Sequence, residues 1–543
     1  MERINGPAYR DMLQYGLCHL EAHRAAVNDL NVFPVPDGDT GTNMVMTVKN
    51  GLRSIEGQEG SLSKLSSGFA YAAVFGARGN SGVILSQFFR GLAAGFAGCE
   101  EADCAVLSRA LDMGCEYAYQ AVSKPVEGTI LTVLRDVSDA VRENLPTLHS
   151  IDDAMTLMTA VAKVSLEHTP ELLPILQKAG VVDSGGAGVV YFFDGIRKYL
   201  KGEPMTLSRE SVSPQETLAV DYSLFDRNSD FSLGYCTELL IQLTVADDAF
   251  DYRAFLTRLN ALGDSVVASR EEDKIKVHIH TAAPETVMAF CHRFGEFLSM
   301  KVENMSVQHT GQTVKILCAP ASEKSKVAVV AVAPNPKLQR MLSEMGADAV
   351  ILSEEAPSSQ DFIEAFDRIS AENLLVFPNS SNSILSAMQA GSMYKRAKVT
   401  VLNCRSVPAC YASLPLIDFD STDIHATVGA VHDTIGHLRE VSVAHAVKSV
   451  RYGDKSIVKN DYFALLGDEV LTVGDNFNEV TLRALRHMLA MAEWDVITLF
   501  YGKNRTEQET ELLADAVRGL AKGAEVCVIS TLDPVYDLVF TFE

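Results

Sequence analysis

Two carboxylates, Asp37 and Asp39, stand two residues apart in the segment Asn31-Val-Phe-Pro-Val-Pro-Asp-Gly-Asp-Thr-Gly-Thr-Asn-Met44. Carboxylates on a turning loop suit a hard divalent cation. Mg²⁺ is commonly held by one or two of them, with substrate phosphates completing its shell. Pro34 and Pro36 fix their own φ and push the residues before them toward extended conformations. Gly38 and Gly41 let the backbone turn tightly and approach a ligand. The N–H groups of Thr40 to Asn43 can open a helix and face an anion. An Asx-rich surface turn is the alternative for Asp-Gly-Asp taken alone, but the whole string is far more specific than that tripeptide.

Three further glycine-bearing segments follow: Gly76-Ala-Arg78-Gly79-Asn80-Ser81-Gly82, Glu127-Gly128-Thr129 and Asp183-Ser184-Gly185-Gly186-Ala187-Gly188. Each precedes apolar residues at helical spacing: Val83, Ile84, Leu85, Phe88, Phe89 and Leu92; Ile130, Leu131, Val133, Leu134, Val137 and Val141; and Val189, Val190, Phe193, Ile196 and Leu200. Glycines and hydroxyls at helix starts make anion sites from free N–H groups and the helix dipole. Ordinary capping explains any one of them; four in a single helical region point to phosphate. No Gly-Lys-Ser/Thr occurs, so there is no Walker A loop, and no strand precedes these glycines as a dinucleotide fingerprint requires. Phosphates would then be held by backbone, hydroxyls and metal. Arg78 is the one cation beside these loops, and a plain surface charge is an equal reading of it.

A second group of metal-ligating types lies in the middle of the chain. Tyr235 to Val245 reads as a strand, Tyr252 to Leu262 as a helix, and Ser265 to Arg270 with Lys274 to Thr281 as a hairpin. Pro284 to Phe297 reads as a helix and Ser299 to Val307 as a strand. The order βαββαβ is that of a ferredoxin-like split unit, whose first strand lies between the third and fourth, antiparallel to both. That pairing brings Cys236, His278, His280 and His309 to one edge of the sheet. One thiolate with three imidazoles is a Zn²⁺ set, structural if His309 fills the fourth position and catalytic if that position is open.

These groups must be positioned by a chain too long for one core. At 543 residues, about three domains are expected. Residues 1–201 read as almost wholly helical, 202–230 as a polar linker with Pro204 and Pro214, 231–312 as the mixed α+β unit, and 313–543 as α/β. In the last region Val327 to Ala333, Ala349 to Ser353, Leu374 to Phe377 and Val399 to Asn403 are short apolar strands of a mainly parallel sheet. A second lobe ends with a strand at Val496 to Tyr501, a helix near 506–522, and strands at 525–530 and 538–542.

Net charge is −23, from 70 acidic and 47 basic residues, with no long Lys/Arg run. This argues against nucleic-acid binding and against adhesion to anionic membranes. The opening Met-Glu-Arg-Ile-Asn lacks a signal pattern, and no apolar run approaches the roughly 20 residues that span a bilayer. Ten scattered cysteines without a Cys-x-x-Cys pair suit buried thiols in a reducing cytoplasm.

The segment Leu30 to Met44, with Arg78-Gly-Asn-Ser-Gly82, Glu127-Gly-Thr129 and Asp183-Ser-Gly-Gly-Ala-Gly188 in the same order, resembles the kinase domain of bacterial fatty acid kinases. That domain is related to the nucleotide-binding subunit of dihydroxyacetone kinase. The resemblance implies an all-helical antiparallel barrel that holds ATP and two Mg²⁺ at one end. It implies metal binding at Asp37 and Asp39, with nucleotide contacts at Thr40, Gly41, Asn43, Met44, Ser81, Gly82, Gly128, Thr129, Asp183 and Gly185. Dihydroxyacetone kinases usually carry a further aspartate upstream of the pair; this chain has Asn31 near that place at slightly different spacing, the form that the fatty acid kinase branch resembles. Middle domains of that branch use a Cys/His cluster like that of Cys236, His278, His280 and His309.

Phe377-Pro-Asn-Ser-Ser-Asn382, Tyr501-Gly-Lys-Asn and Pro534 to Glu543 resemble the family's DegV-like C-terminal domain. Its Gly-Gly-Gln signatures are replaced here by Ser353-Glu-Glu-Ala-Pro357 and Ser530-Thr-Leu-Asp-Pro534. Docking of a separate acyl-carrying, DegV-type protein is therefore expected of this domain, rather than lipid binding of its own. The family also implies a homodimer as one arrangement.

The reading is an ATP-dependent kinase acting on a fatty acid carboxylate to give acyl phosphate and ADP. A dihydroxyacetone-type small-molecule kinase and a non-enzymatic ATP-binding regulator are the alternatives. Intact Asp37, Asp39 and glycine loops count against the last.

Overall fold

The computed structural model describes residues 1–31, 38–203, 235–245, 250–271, 274–304, 315–318, 325–419, 423–446, 449–452, 455–467, 469–533 and 535–543. Asp37, His309 and nearly all of the expected linker lie outside them. The chain divides into two compact units, Met1–Ser208 with Lys315–Glu543, and Arg209–Val314.

The N-terminal part of the first unit is helical: α1 (Gly6–Ala22), α2 (Arg24–Leu30), α3 (Thr40–Ile55), α4 (Leu62–Phe75), α5 (Gly79–Gly95), α6 (Cys104–Gln120), α7 (Ile130–Asn144), α8 (Ile151–Leu172), α9 (Pro174–Ala179) and α10 (Ser184–Leu200). Two short strands, β1 (Ile4–Asn5) and β2 (Glu101–Ala102), pair antiparallel beside them. Side chains fix several starts. Asn5 accepts from the Ala8 N–H, Ser150 from Asp153, and Asp103 from Ala105 and Val106, each satisfying a donor that the first turn leaves open. The apolar faces meet in one core that includes Leu20, Met44, Phe69, Phe88, Phe89, Val133 and Phe192. Small residues let helices approach closely: a Cβ on Gly51 would meet the Phe69 ring at 2.6 Å, and one on Gly16 the Phe192 ring at 2.6 Å.

The second unit is a four-stranded sheet with two helices: β3 (Tyr235–Leu243), α11 (Tyr252–Asn260), β4 (Asp264–Glu271), β5 (Lys274–Thr281), α12 (Pro284–Cys291) and β6 (Gly295–Asn304). The strand order is β4-β5-β3-β6, so the first strand lies between the third and fourth and runs antiparallel to both. Leu239, Ile241, Ile275, Val277 and Ile279 pack with Phe255 and Val287 of the helices.

One boundary differs from the sequence reading. The second helix stops at Cys291 rather than Phe297, and β6 begins at Gly295. Pairing overrides helical propensity here: Gly295 sits opposite Leu243 and Phe297 opposite Ile241. A Cβ on Gly295 would collide with the Gln242 carbonyl. Gly295→Ala is therefore expected to loosen the β3–β6 edge, visible as faster amide exchange in Tyr235–Leu243 than in the wild type.

The C-terminal part of the first unit has two lobes. The first contains β7 (Lys315–Cys318), β8 (Ser325–Ala333), α13 (Pro336–Glu344), β9 (Ala349–Leu352), α14 (Ser359–Asp367), β10 (Ala371–Phe377), α15 (Ser381–Met393), β11 (Lys398–Val401), α16 (Val407–Ser413) and α17 (Ile424–His437). Its sheet order is β11-β10-β8-β9-β7, parallel except for β7. Val327 to Ala333 are all buried, the continuous apolar run of a strand covered on both faces.

The second lobe contains β12 (Arg439–His445), β13 (Val450–Tyr452), β14 (Lys455–Ile457), β15 (Tyr462–Leu466), β16 (Glu469–Gly474), α18 (Phe477–Met491), β17 (Val496–Tyr501), α19 (Glu507–Leu520), β18 (Glu525–Ser530) and β19 (Leu538–Phe542). Six of these strands form one sheet, β16-β15-β12-β19-β17-β18, mostly antiparallel with β17–β18 parallel, and β13 pairs antiparallel with β14 apart from it. The mainly parallel organisation thus belongs to the first lobe alone. Helices α18 and α19 cover one face of the second sheet through Val480, Leu485, Leu513 and Val517.

Candidate functional site

The four glycine-bearing segments come together through the N-termini of α3, α5, α7 and α10. Asp39 is the N-cap of α3 and accepts from Asn43 Nδ2 at 2.9 Å. The Ser184 hydroxyl, at the first residue of α10, donates to Thr40 Oγ1 at 3.2 Å, as does Asn31 Nδ2 at 3.0 Å. Gly41 and Thr42 donate their N–H groups to Asn28 Oδ1, which pins the first turn of α3.

Helix α5 lies against α3 at its glycines. Gly79 has φ +60°, and a Cβ there would collide with Asn43 Nδ2. A Cβ on Gly82 would meet Thr47 Oγ1 at 2.5 Å. Ser81 Oγ lies 3.5 Å from where a Cβ on Gly185 would stand, which joins the starts of α5 and α10. Asp183 caps α10 by accepting from Gly186 N at 2.7 Å, and Ile130 at the start of α7 packs beside it, its Cβ 3.1 Å from where a Cβ on Gly185 would stand.

Thr129 is the N-cap of α7, and Gly128 before it has φ +81°. The turn is held by Glu127, which accepts from the Thr132 hydroxyl at 2.6 Å, Arg135 at 2.7 Å and Tyr119 at 3.0 Å. Against a desolvation that would raise it, those hydrogen bonds and the Arg135 charge hold its carboxyl below the usual range. Met44 is fully buried, with its Sδ against Gly188.

Four helix N-termini facing one place can hold an anion through free N–H groups and summed dipoles. Asn43 Oδ1 is buried without a hydrogen-bond partner, directly beside Asp39. An orphaned acceptor next to a carboxylate fits a cation or a donor delivered by a ligand. Burial pushes the Asp183 carboxyl up to about 6. A folded-state value raised above the unfolded one gives stability that is full below the unfolded value and lost as pH rises through about 6. Between pH 7 and pH 4 the wild type is therefore expected to gain unfolding free energy relative to Asp183→Asn, by on the order of 3 kcal/mol at most, read by denaturant unfolding at each pH. A difference that is flat with pH would contradict this.

The C-terminal part contributes to the same place, which the sequence did not suggest. Asn382, the second residue of α15, places Nδ2 3.3 Å from both Asp39 oxygens. Arg78, read as an equally plausible surface charge, has a largely buried side chain 3.5 Å from Asp361, and it donates to the Ala356 carbonyl. A cavity of about 1080 Å³ opens between these parts, lined by Asp39 and Thr42 on one side and by Ser380, Asn382, Ser406 and Glu440 on the other. Glu440 is half-buried, desolvation raises its carboxyl, and it accepts from the Ser406 hydroxyl at 2.5 Å.

In the second unit, Cys236 is paired with His280 and Glu238 with His278. These positions alternate with the buried Thr237, Leu239, Val277 and Ile279. The side chains of Cys236, His278 and His280 lie outside the described ones, as does all of His309. Among the described residues no group of three or more His, Cys, Asp or Glu could hold a metal ion, and no helix is long and apolar enough to cross a membrane.

Residues 34–198 match the DAK2 domain family, residues 232–312 the middle domain of the FakA-like fatty acid kinase family, and residues 328–543 the C-terminal domain of that family. An uncharacterized protein of Staphylococcus aureus (strain USA300) is 30% identical over 550 residues, covering 100% of both chains. The class is thus a multidomain protein with a DAK2 domain ahead of two further domains. The chain belongs to the FakA-like fatty acid kinase family.

Two solved structures are similar only remotely. The fatty acid kinase B3 protein of Streptococcus pneumoniae loaded with linoleic acid shares 16% identity, with 40% of this chain and 99% of that one covered, at TM-score 0.30. The dihydroxyacetone kinase from C. freundii in complex with AMP-PNP and Mg²⁺ shares 17%, with 37% and 35% covered, at TM-score 0.29. At such scores they carry no argument about this chain.

Proposed function

We propose that this chain is the ATP-dependent kinase component of a two-component fatty acid kinase. It would transfer the γ-phosphoryl group of ATP to a fatty acid carboxylate presented by a separate fatty-acid-binding protein. The bond between the γ-phosphorus and the bridging oxygen breaks as a carboxylate oxygen bonds to that phosphorus, giving acyl phosphate and ADP. The carboxylate is already ionised at neutral pH, so no general base is needed. Catalysis then rests on positioning and charge neutralisation.

The observation that carries the reading is the convergence of the α3, α5, α7 and α10 N-termini on Asp39, Thr40 and Ser184. Asp37 and Asp39 would hold Mg²⁺, which neutralises phosphate charge when bound. The first turns of α3 and α5, with Ser81, Gly82 and Thr129, would hold the phosphates. Asp183 keeps α7 and α10 in register for this.

The test is ATP consumption with Mg²⁺, with and without a fatty-acid-loaded DegV-type protein. Turnover that needs both lipid and partner supports the proposal. Turnover with dihydroxyacetone alone would replace it with a small-molecule kinase, and nucleotide binding without turnover under every condition would make the chain a binding protein.

Zn²⁺ on Cys236, His278 and His280, with His309, belongs to the same proposal and is supported by the strand register. Metal analysis should find zinc in the purified chain and less in Cys236→Ala. A zinc-free wild type removes this part.

A further inference from the structure

Asp39 is gripped from both sides of the first unit. Asn382 Nδ2 is equidistant from its two oxygens, at 3.3 Å. That is the edge of a carboxylate where a bidentate cation sits. Asn382 is itself oriented by Asn80, whose Nδ2 lies 3.5 Å from Asn382 Oδ1. The positive end of the α15 dipole also points at this carboxylate, which favours an uncompensated anion and disfavours a cation.

The contact is a built interface. Gln389 of α15 is buried, donates to the Val74 carbonyl at 2.5 Å and to Ser359 Oγ at 3.0 Å, and accepts from Gln87 Nε2 at 2.7 Å. Arg78 and Ser358 form an antiparallel bridge, Ser359 N donates to the Ala77 carbonyl at 3.3 Å, and Arg78 faces Asp361. The docked surface therefore includes both the loop of Asp39 and the loop from Ala77 to Asn80.

We propose that docking of the C-terminal domain on these loops competes with a divalent cation at Asp39, so that loading the site releases the domain and exposes the surface. The inference rests on Asp39 being a metal ligand. Because coupling is reciprocal, the undocked chain must bind cation and nucleotide more tightly than the docked one by the same factor by which binding weakens the dock, and a variant that weakens the dock gains up to that factor. A separate protein that must bring an acceptor to Asp39 would meet the surface only in the released state.

The experiment uses the full chain, with Mg²⁺ and AMP-PNP as probes. Calorimetry measures binding, and amide exchange follows residues 380–393 and 77–82. Bound Mg²⁺ and AMP-PNP should speed exchange in 380–393 by about tenfold, a typical coupling. Gln389→Ala, which weakens the dock away from Asp39, and Asn382→Ala should each bind the pair about tenfold tighter than the wild type. Binding that leaves exchange in 380–393 unchanged or slower, with variants no tighter, overturns the inference and leaves the functional reading standing. No binding by any of the three proteins overturns both.

Discussion

An Asp39→Asn chain is expected to fold normally and, on the proposed function, to lose at least about a hundredfold of ATP turnover with a lipid-loaded partner. The loss follows from charge, since shape is almost unchanged. The Asp39 side chain makes no capping hydrogen bond to the first turn, and an asparagine oxygen can still accept from Asn43, so the turn and its anchors at Asn28 and Ser184 survive. What would disappear, on the proposed function, is a negative ligand where phosphoryl transfer needs divalent charge held in place. Removing a single electrostatic group from such a site typically costs about 10²–10³ in rate. Turnover within threefold of wild type, beside an unchanged melting temperature, would remove Asp39 from the chemistry. Restored rates in the presence of Mn²⁺ would instead keep it as a ligand of weakened affinity.

The largest effect on stability is expected from Phe69→Ala, with a loss of about 3–5 kcal/mol. Phe69 is fully buried, with its ring edge-on to Phe89 at 4.8 Å and to Tyr9 at 6.3 Å. Gly51 lies against the same ring, so truncation leaves a void bordered by backbone that cannot close without moving α3. Denaturant unfolding should show the first transition at lower midpoint with an unchanged slope. A loss under about 1 kcal/mol would mean that the neighbouring helices repack freely.

The helical region was legible because its apolar residues recur at three and four while glycine and hydroxyl pairs punctuate them. The starts of α3, α5, α7 and α10 fall at Thr40, Gly79, Ile130 and Ser184, within a few residues of the motifs. The split order of the middle strands was equally readable from alternation. What sequence could not give were contacts across long separations. Asn382 meets Asp39 across most of the chain, and nothing local to Phe377-Pro-Asn-Ser-Ser-Asn382 marks it as part of the site. Arg78 could not be told from a surface charge, because its partner Asp361 belongs to a different domain. Met44 stands in the motif, while its helical phase turns its side chain to the core. The boundary at Gly295 was lost because strand pairing, which is non-local, outweighed a helix-compatible run.

The meeting of four helix ends has a kinetic consequence. Each end contributes roughly half a positive charge, fixed in the backbone and felt only within about a turn. The chain as a whole carries −23. An arriving polyanion is thus repelled at long range and held at short range. Added salt shortens the reach of the repulsion to about 8 Å at physiological strength but hardly touches desolvated N–H contacts. Association of a nucleotide should quicken with ionic strength while its dissociation stays nearly constant, the opposite of a site built from lysines.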